Sequence, residues 1–387
     1  MGDFENQLAE DLEMVQGAGL WRELRRVESA QASRIRLDGK EFLNFSSNDY
    51  LGLAAHPALG QAAKRAVDQY GIGSGASRLV CGSIDPHHDL ESELANWLDA
   101  DSALVFSSGF AAAQGAITSV VGRGDIVVID KKVHASTVDA ARLSGAKLRV
   151  FRHNDLGNLD SILQWAKTRG GRVLVVTESV FSMDGDSPDL QGLIDLKERH
   201  GAWLMLDEAH ALGCYGEEGG GLARRLAKRV EIRLGTLGKA VGAAGGFICG
   251  SRCLVELLVN KARSFIFSTA PSPAVSAAAL AGVELIRSEE GEALREKLWE
   301  NMSQLREGVA SQGWALPDAP GVILPLIVGN EAKAMGLMQS LREAGLFIPA
   351  IRYPTVSRNE ARLRVTVSAP HTGDEVTALL NALAAIR

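Results

Sequence analysis

The sequence is poor in the residues that identify several classes of protein. Four cysteines occur in 387 residues, and no second Cys or His pair accompanies Cys249 and Cys253 at the spacing of a metal site. We therefore expect reduced, buried thiols and no bound metal. The net charge is -6 and no basic patch dominates, which argues against a nucleic-acid partner.

Two further absences concern location. No apolar run is long enough to span a bilayer. Residues 1–16 contain five acidic side chains where a secretory signal carries basic ones, and no apolar segment follows them. We expect a cytoplasmic protein that makes no membrane contact.

Glycine, by contrast, is plentiful, and its 41 residues suggest many tight turns and close backbone approaches. Between about residues 55 and 285, short apolar runs alternate with helix-like segments. This alternation predicts an α/β fold with a mostly parallel sheet that is covered on both faces. The predicted strands are 102–106, 125–129, 147–151, 173–177 and 203–207, and the predicted helices are 89–98, 109–121, 136–144, 159–168 and 190–200.

The two ends of the chain follow other patterns. A helix and then a hairpin with an Asp-Gly turn are predicted before residue 45. A long charged helix and an α+β pattern are predicted near the C-terminus. The predicted helices of this C-terminal part are 281–311, 332–344 and 374–386, and its predicted strands are 322–328, 347–351 and 362–367. The predicted units are an N-terminal segment (1–45), a large domain (46–285) and a smaller C-terminal domain (286–387).

Two features follow predicted strands, where open α/β sheets bind their ligands. In the turn at 106–112 (FSSGFAA), a strand ends and a helix begins, and the free N–H groups of that helix suit a phosphate. An ordinary serine-capped turn has the same appearance. In LDEAH, Asp207 ends a strand three residues before His210. Asp207 could pair with a cationic ring nitrogen, or it could cap a helix.

Lys239 and His134 are the other two features. Lys239 lies in a run of small and apolar residues, a setting that suits a Schiff-base or proton-transfer lysine, although a flexible glycine loop is the alternative. His134 could lie over a flat ring, but a lone histidine is more often structural. Along the chain the turn at 106–112 comes first, then His134, then Asp207 with His210, and then Lys239. This order on one sheet resembles fold-type I pyridoxal-phosphate enzymes, in which an aspartate keeps the pyridine nitrogen protonated.

Longer strings resemble one family within that fold type. NFSSNDYLGL (44–53), GIGSGASR (71–78), TESVFSMDGD (177–186), LDEAH (206–210) and TLGK (236–239) are all similar to the α-oxoamine synthases, in order over nearly the whole chain. These enzymes condense an amino acid with an acyl thioester and lose carbon dioxide. The segment AIRYPTV (350–356) resembles the member that uses L-alanine and a pimeloyl thioester of coenzyme A or acyl-carrier protein.

The resemblance implies a role for each matching residue. Lys239 forms the Schiff base and moves the α-proton, Asp207 binds the ring nitrogen, and His134 stacks on the ring and contacts substrate. The ring hydroxyl lies near His210 and Ser182. The implied phosphate contacts are Gly109, Phe110 and Thr236 and, from a second subunit of a homodimer, Ser268 and Thr269. The implied substrate contacts are Asn48, Arg352, Thr355 and Arg22, with Arg25 or Arg26 as replacements for Arg22.

Three other functions remain open. A sister enzyme that uses glycine or serine with another acyl group shares these positions. An aminotransferase of the same fold keeps Lys239 and Asp207 but releases a keto acid. A non-catalytic scaffold requires the loss of Lys239 or Asp207, and both are present.

Overall fold

The computed structural model describes residues 2–317 and 321–386. The helices in this part of the chain are α1 (Asp3–Gly17), α2 (Pro57–Tyr70), α3 (Asp85–Trp97), α4 (Gly109–Val120), α5 (Ala135–Leu143), α6 (Leu156–Lys167), α7 (Leu190–His200), α8 (Arg252–Lys261), α9 (Arg263–Ile266), α10 (Pro273–Arg287), α11 (Glu289–Ser311), α12 (Glu331–Glu343) and α13 (Gly373–Ala385).

The strands are β1 (Arg34–Leu37), β2 (Lys40–Asn44), β3 (Ser102–Phe106), β4 (Ile126–Asp130), β5 (Lys147–Phe151), β6 (Val173–Glu178), β7 (Trp203–Asp207), β8 (Ile232–Thr236), β9 (Gly246–Gly250), β10 (Leu324–Gly329), β11 (Leu346–Phe347), β12 (Ala350–Ile351) and β13 (Ala361–Val365).

A seven-stranded sheet forms the centre of the large unit, in the order β3-β9-β8-β7-β6-β4-β5. Within the described residues only β9 runs antiparallel to its neighbours in this sheet. Strand β4, which lies between β6 and β5, consists almost entirely of buried Ile and Val, as expected where helices cover both faces. The predicted α/β fold with a mostly parallel sheet is confirmed, and the five predicted strands lie within a residue of their expected bounds.

Two apolar layers hold helices against this sheet. On one face, α4, α5 and α8 pack on residues such as Leu104, Val127 and Met205. On the other face, α6 and α7 pack on Val128 and Leu204. Because successive side chains of a strand point to opposite faces, neighbouring residues such as Val127 and Val128 enter different layers. The helices thus cover the two faces of the sheet, and the carboxyl ends of the parallel strands lie at its edge between the two layers.

Two three-stranded sheets lie outside the central sheet, β1-β2-β11 and β10-β13-β12. The predicted hairpin is confirmed, because β1 and β2 pair antiparallel with Leu37 opposite Lys40. One apolar core continues from Phe247 in β9 to Leu363 in β13, so the large and C-terminal units share it. The division of the chain at residues 45 and 285 stays a prediction.

Two predicted elements near the C-terminus are wrong as single elements. The helix over 281–311 is two helices, because the Ser288 hydroxyl accepts a hydrogen bond from Gly291 N (3.3 Å) and caps a new helix there. The strand over 347–351 is two short strands in different sheets, β11 beside β2 and β12 beside β13. Pro349 lies between them, and a proline has no N–H to continue a ladder.

Two other findings concern the absences in the sequence. Cys214 and Cys249 are buried as expected, but Cys81 and Cys253 are exposed, which corrects the expectation of four buried thiols. Among the described residues, no helix is long and apolar enough to cross a membrane, and no group of three or more side chains could hold a metal ion.

Candidate active site

A cavity of about 180 Å3 lies where the carboxyl ends of β6, β7 and β8 meet the first turn of α4. Parallel strands deliver their last residues to one edge of the sheet, which brings together side chains that are far apart in the sequence. The lining residues are Gly109, Phe110, His134, Ser136, Glu178, Ser182, Asp207, Ala209, His210, Leu234, Thr236 and Lys239.

One end of the cavity is the N-terminus of α4. The side chain of Ser108 caps this helix by accepting a hydrogen bond from Ala111 N (3.1 Å). The N–H groups of Gly109 and Phe110 have no partner in the described part of the chain and point out of the first turn. Free N–H groups and the positive end of the helix dipole together suit an anion.

A close backbone approach fixes this helix start. A Cβ on Gly246 would lie 2.4 Å from Gly109 N, so β9 can support the turn only with glycine at this position. Thr236, at the end of β8, lies beside the same turn, since a Cβ on Gly109 would be 3.8 Å from Thr236 Cβ. The Thr236 hydroxyl donates to Gly245 O (3.1 Å) and accepts from Gly238 N (3.3 Å).

Asp207 and Glu178, which are buried, and Lys239, which is half-buried, are titratable side chains that line the cavity together. Burial raises the pKa of the Asp207 carboxyl, and the Lys239 charge opposes this. Burial lowers the pKa of Lys239 to about 8, against the opposing charges of Asp207 and Glu178. A lysine amine with this pKa is partly neutral near pH 7 and can act as a nucleophile.

His134 is held in one orientation by its own turn and by Glu178. Its backbone N–H donates to Glu178 Oε1 (2.6 Å), and its ring Nδ1 accepts from Ser136 N (3.2 Å). Because Nδ1 is an acceptor in this turn, Nε2 is the ring nitrogen that carries a proton. Burial and then the nearby Asp207 charge raise the pKa of Glu178 to about 8.

A second histidine, His210, is fully enclosed and bound to Tyr50. The Tyr50 hydroxyl lies 2.7 Å from His210 Nδ1. Burial, and then the Lys239 charge, lower the pKa of His210 well below its usual value, so the ring is neutral. Burial also raises the pKa of Tyr50, so the phenol keeps its proton. Since the phenol can donate to Nδ1, the His210 proton lies on Nε2 and is free to donate to a ligand.

Arg364 is a buried cation without a carboxylate partner within ion-pair distance in the described chain. Its Nε donates to Ser182 O (2.7 Å) and its Nη2 to Asn48 Oδ1 (3.0 Å). Its charge contributes to lowering the pKa values of Lys239 and His210, which places it near both. A buried, unpaired guanidinium beside a reactive amine is suited to bind a carboxylate.

The structure separates the expected substrate contacts into two groups. Asn48 lies in the network of Arg364 beside the cavity. Arg22, Arg352 and Thr355 line a separate open groove of about 720 Å3, together with Arg25. Arg352 Nη2 donates to Trp21 O (3.0 Å), which connects the two walls of the groove.

Ser268 and Thr269 do not line the cavity of their own chain. The Ser268 hydroxyl donates to Ser264 O (2.8 Å), and Thr269 forms a single antiparallel bridge with Ser77. Phe267, the preceding residue, is 69% exposed, so this segment presents an apolar side chain to the outside.

Sequence reasoning assigned no role to Glu178, Tyr50 or Arg364. Glu178 and Tyr50 stand inside strings that carry the family resemblance. Arg364 had one usable signal, its place between Leu363 and Val365 in a short strand of the C-terminal unit. Burial of an arginine in such a strand requires a polar purpose.

Comparisons with known proteins agree with this geometry. The family model Aminotransferase class I and II matches residues 40–383. An 8-amino-7-oxononanoate synthase of Geotalea daltonii is 44% identical over 377 residues, which cover 97% of this chain and 96% of that protein.

Solved structures are similar over the whole fold. Serine palmitoyltransferase of Sphingomonas wittichii is 29% identical with a TM-score of 0.91, over 100% of this chain and 97% of that one. SPT with a PLP internal aldimine is 27% identical with a TM-score of 0.90, over 99% of this chain and 97% of that one. The predicted fold type and cofactor, pyridoxal phosphate, are thereby confirmed. This chain belongs to the aminotransferase class I and II family, among the relatives of the 8-amino-7-oxononanoate synthases.

Proposed function

We propose that this enzyme condenses L-alanine with a pimeloyl thioester, of coenzyme A or of acyl-carrier protein, in biotin biosynthesis. The products are 8-amino-7-oxononanoate, carbon dioxide and the free thiol. One observation carries the proposal: the 8-amino-7-oxononanoate synthase of Geotalea daltonii is 44% identical to this chain over nearly the full length of both. We also propose a cytoplasmic location.

The residues of the cavity fit pyridoxal phosphate. Gly109 and Phe110 supply two free N–H groups and Thr236 a hydroxyl beside them, which is a suitable cradle for a phosphate. Asp207 supplies a buried carboxylate for a protonated ring nitrogen, and Lys239 supplies a partly neutral amine for an aldehyde. When bound, the cofactor supplies an electron sink for charge that develops at the amino-acid α-carbon.

Lys239 has two tasks in this proposal. Its amine holds the cofactor until alanine arrives, and it then removes the α-proton of the bound alanine and later returns a proton. A base matched to neutral pH needs a pKa near 7 to 8, and burial brings Lys239 into that range. Asp207 stays ionised beside the ring nitrogen and keeps that nitrogen protonated.

The two histidines present Nε2–H donors in fixed orientations. With the cofactor bound, His134 would lie against its ring and could donate to the substrate carbonyl oxygen, where negative charge develops. His210 and Ser182 would hold the ring hydroxyl. Because burial keeps the His210 ring neutral, that ring polarises an oxygen atom without adding a cation to the cavity.

Substrates reach the site from two sides. We propose that Arg364 binds the alanine carboxylate, with Asn48 orienting the guanidinium through its Oδ1. We propose that Arg22, Arg352 and Thr355 bind the acyl thioester in the open groove, where arginines suit the negative charges of the carrier or of the pimeloyl carboxylate.

The proposed enzyme is a homodimer with shared active sites. Ser268 and Thr269 are outside their own cavity and follow the exposed Phe267, which is consistent with their donation to the phosphate of a second copy. A dimer also covers the apolar side chains that this surface exposes.

Thiol release from pimeloyl-coenzyme A tests the proposal. The purified holoenzyme is assayed in parallel with L-alanine, glycine and L-serine, with Lys239→Ala as the control without a reactive amine. Release with L-alanine alone, abolished in Lys239→Ala, is the expected result. Full turnover in Lys239→Ala contradicts the mechanism.

A serine-using condensing enzyme is the second candidate. The observation that favours it is the TM-score of 0.91 to serine palmitoyltransferase, at 29% identity. Thiol release with serine or glycine in place of alanine supports this candidate. A keto acid formed without thiol release identifies an aminotransferase instead.

A further inference from the structure

His153 lies between two aspartates just beside the cavity. Its Nδ1 is 2.9 Å from Asp130 Oδ1 and its Nε2 is 2.8 Å from Asp186 Oδ2. The rings of His153 and Phe181 pack edge to face, with an interplanar angle of 88° and their centroids 4.5 Å apart. None of the residues in this group lines the cavity, but Ser182, which directly follows Phe181, does.

Both ring nitrogens of His153 face a carboxylate oxygen, so each must carry a proton to form its hydrogen bond. Burial alone lowers the pKa of His153. The hydrogen bonds to Asp130 and Asp186 outweigh that effect and raise the pKa to about 9. The ring is therefore an imidazolium at neutral pH, with a carboxylate on each side.

Asp130 and Asp186 belong to two different segments of the active site. Asp130 ends β4 and is fully buried, and its Oδ1 accepts from Lys132 N (2.8 Å) in the turn that leads to His134. Asp186 closes the loop after β6, where its carbonyl accepts from Phe181 N (2.9 Å). That loop carries Ser182, whose carbonyl accepts from Arg364 Nε.

Several other charges on these segments are paired with other partners. Asp184, in the same loop as Asp186, forms ion pairs with Lys132 and Arg362. Arg152 and Asp155, on the segment of His153 itself, pair with each other. The two aspartates are thus the charged groups in direct contact with the His153 ring in the described chain.

We propose that His153 is a positioning residue for the cofactor site. As an imidazolium it holds the turn that carries His134 and the loop that carries Ser182 at a fixed separation, so that both face the bound cofactor correctly. Loss of the His153 proton removes one of the two hydrogen bonds and leaves the buried Asp130 and the half-buried Asp186 without a balancing charge, so the segments separate. The inference rests on the proposed roles of His134 and Ser182 but not on the identity of the substrates.

The test follows the visible circular dichroism of the bound cofactor in the holoenzyme as a function of pH. The cofactor signal reports the asymmetry of its surroundings and needs no substrate, so its outcome is independent of the thiol-release assay. We expect a step near pH 9 in the wild type, because His153 loses its proton there. In Asp186→Asn one carboxylate is missing, and the step moves down by a pH unit or more.

His153→Gln provides the second variant, because glutamine keeps one donor and cannot titrate. We expect the step to disappear and kcat to fall about tenfold or more, since small displacements of catalytic groups have effects of this size, with a smaller change in the KM of the thioester. The control is His200→Gln, which removes another carboxylate-paired histidine, bound to Asp160 (2.7 Å) away from the cavity.

Two outcomes overturn the proposal. One is a wild-type signal that stays constant through pH 10. The other is a step that persists unchanged in both His153→Gln and Asp186→Asn. Thermal unfolding of each variant without cofactor shows whether it is folded, and Asp186→Asn keeps the test decisive if His153→Gln is not.

Discussion

The amine of Lys239 should capture the cofactor at a lower pH than an ordinary lysine amine. Only the neutral amine attacks an aldehyde, and burial lowers the pKa of Lys239 to about 8 from its ordinary value of 10.5. At pH 7 about one Lys239 amine in ten is neutral, against roughly three in ten thousand for a lysine in water. The predicted advantage is therefore about 300-fold at pH 7.

The assay mixes cofactor-free protein with excess pyridoxal phosphate and follows the absorbance of the Schiff base over time. We expect the limiting rate to rise about tenfold per pH unit and to level off above about pH 8. Asp207→Asn removes the charge that opposes the shift most, so its midpoint should lie below that of the wild type. A midpoint near pH 10.5, or a midpoint that Asp207→Asn raises, would show that burial does not lower the pKa of Lys239.

Three further predictions test the surroundings of the cavity. Arg364→Met should raise the KM of alanine about 30- to 150-fold, because it removes a charged hydrogen bond of about 2–3 kcal/mol, and Arg364→Lys should restore part of the loss. An unchanged KM in steady-state assays excludes a contact between Arg364 and the alanine carboxylate. Tyr50→Phe should lower the free energy of unfolding by about 1–3 kcal/mol in urea titrations, because His210 Nδ1 loses its 2.7 Å partner; equal stability would show that this pair is not formed. Gly246→Ala should weaken cofactor binding at least about tenfold in equilibrium titrations, since a Cβ would lie 2.4 Å from Gly109 N and displace the phosphate turn, whereas Gly238→Ala, with no atom closer than 3.7 Å, should bind normally.

The central strands could be predicted because their physical cause is local. Strands that are buried on both faces must be continuously apolar, and the sequence of β4 shows this directly. β8 and β9 were not predicted, since Gly235, Gly246 and Gly250 interrupt their apolar pattern. These glycines are explained only by tertiary contacts: a Cβ on Gly235 would meet the Phe247 ring at 2.2 Å.

The site could be predicted in part for a related reason. Asp207 and Lys239 carry local signals, a carboxylate that ends an apolar strand and a cation among small residues. No local sequence signal predicts that Arg364 lies beside the cavity. It reaches Ser182 and Asn48 across separations of 182 and 316 residues, and no local pattern records such a contact. Its role depends on the C-terminal unit packing against the large one.

The charges around the cavity explain what the site should accept. Burial favours the neutral form of Asp207, Glu178 and Lys239, while Arg364 remains a cation. A cationic ring nitrogen beside Asp207 would restore its ionised form, and a carboxylate beside Arg364 would neutralise the remaining cation. In the free cavity, therefore, Asp207 lacks a cationic partner and Arg364 lacks an anionic one. A bound ligand that carries one positive and one negative group at these places satisfies both, which is the charge pattern of a protonated pyridine ring joined to an amino acid.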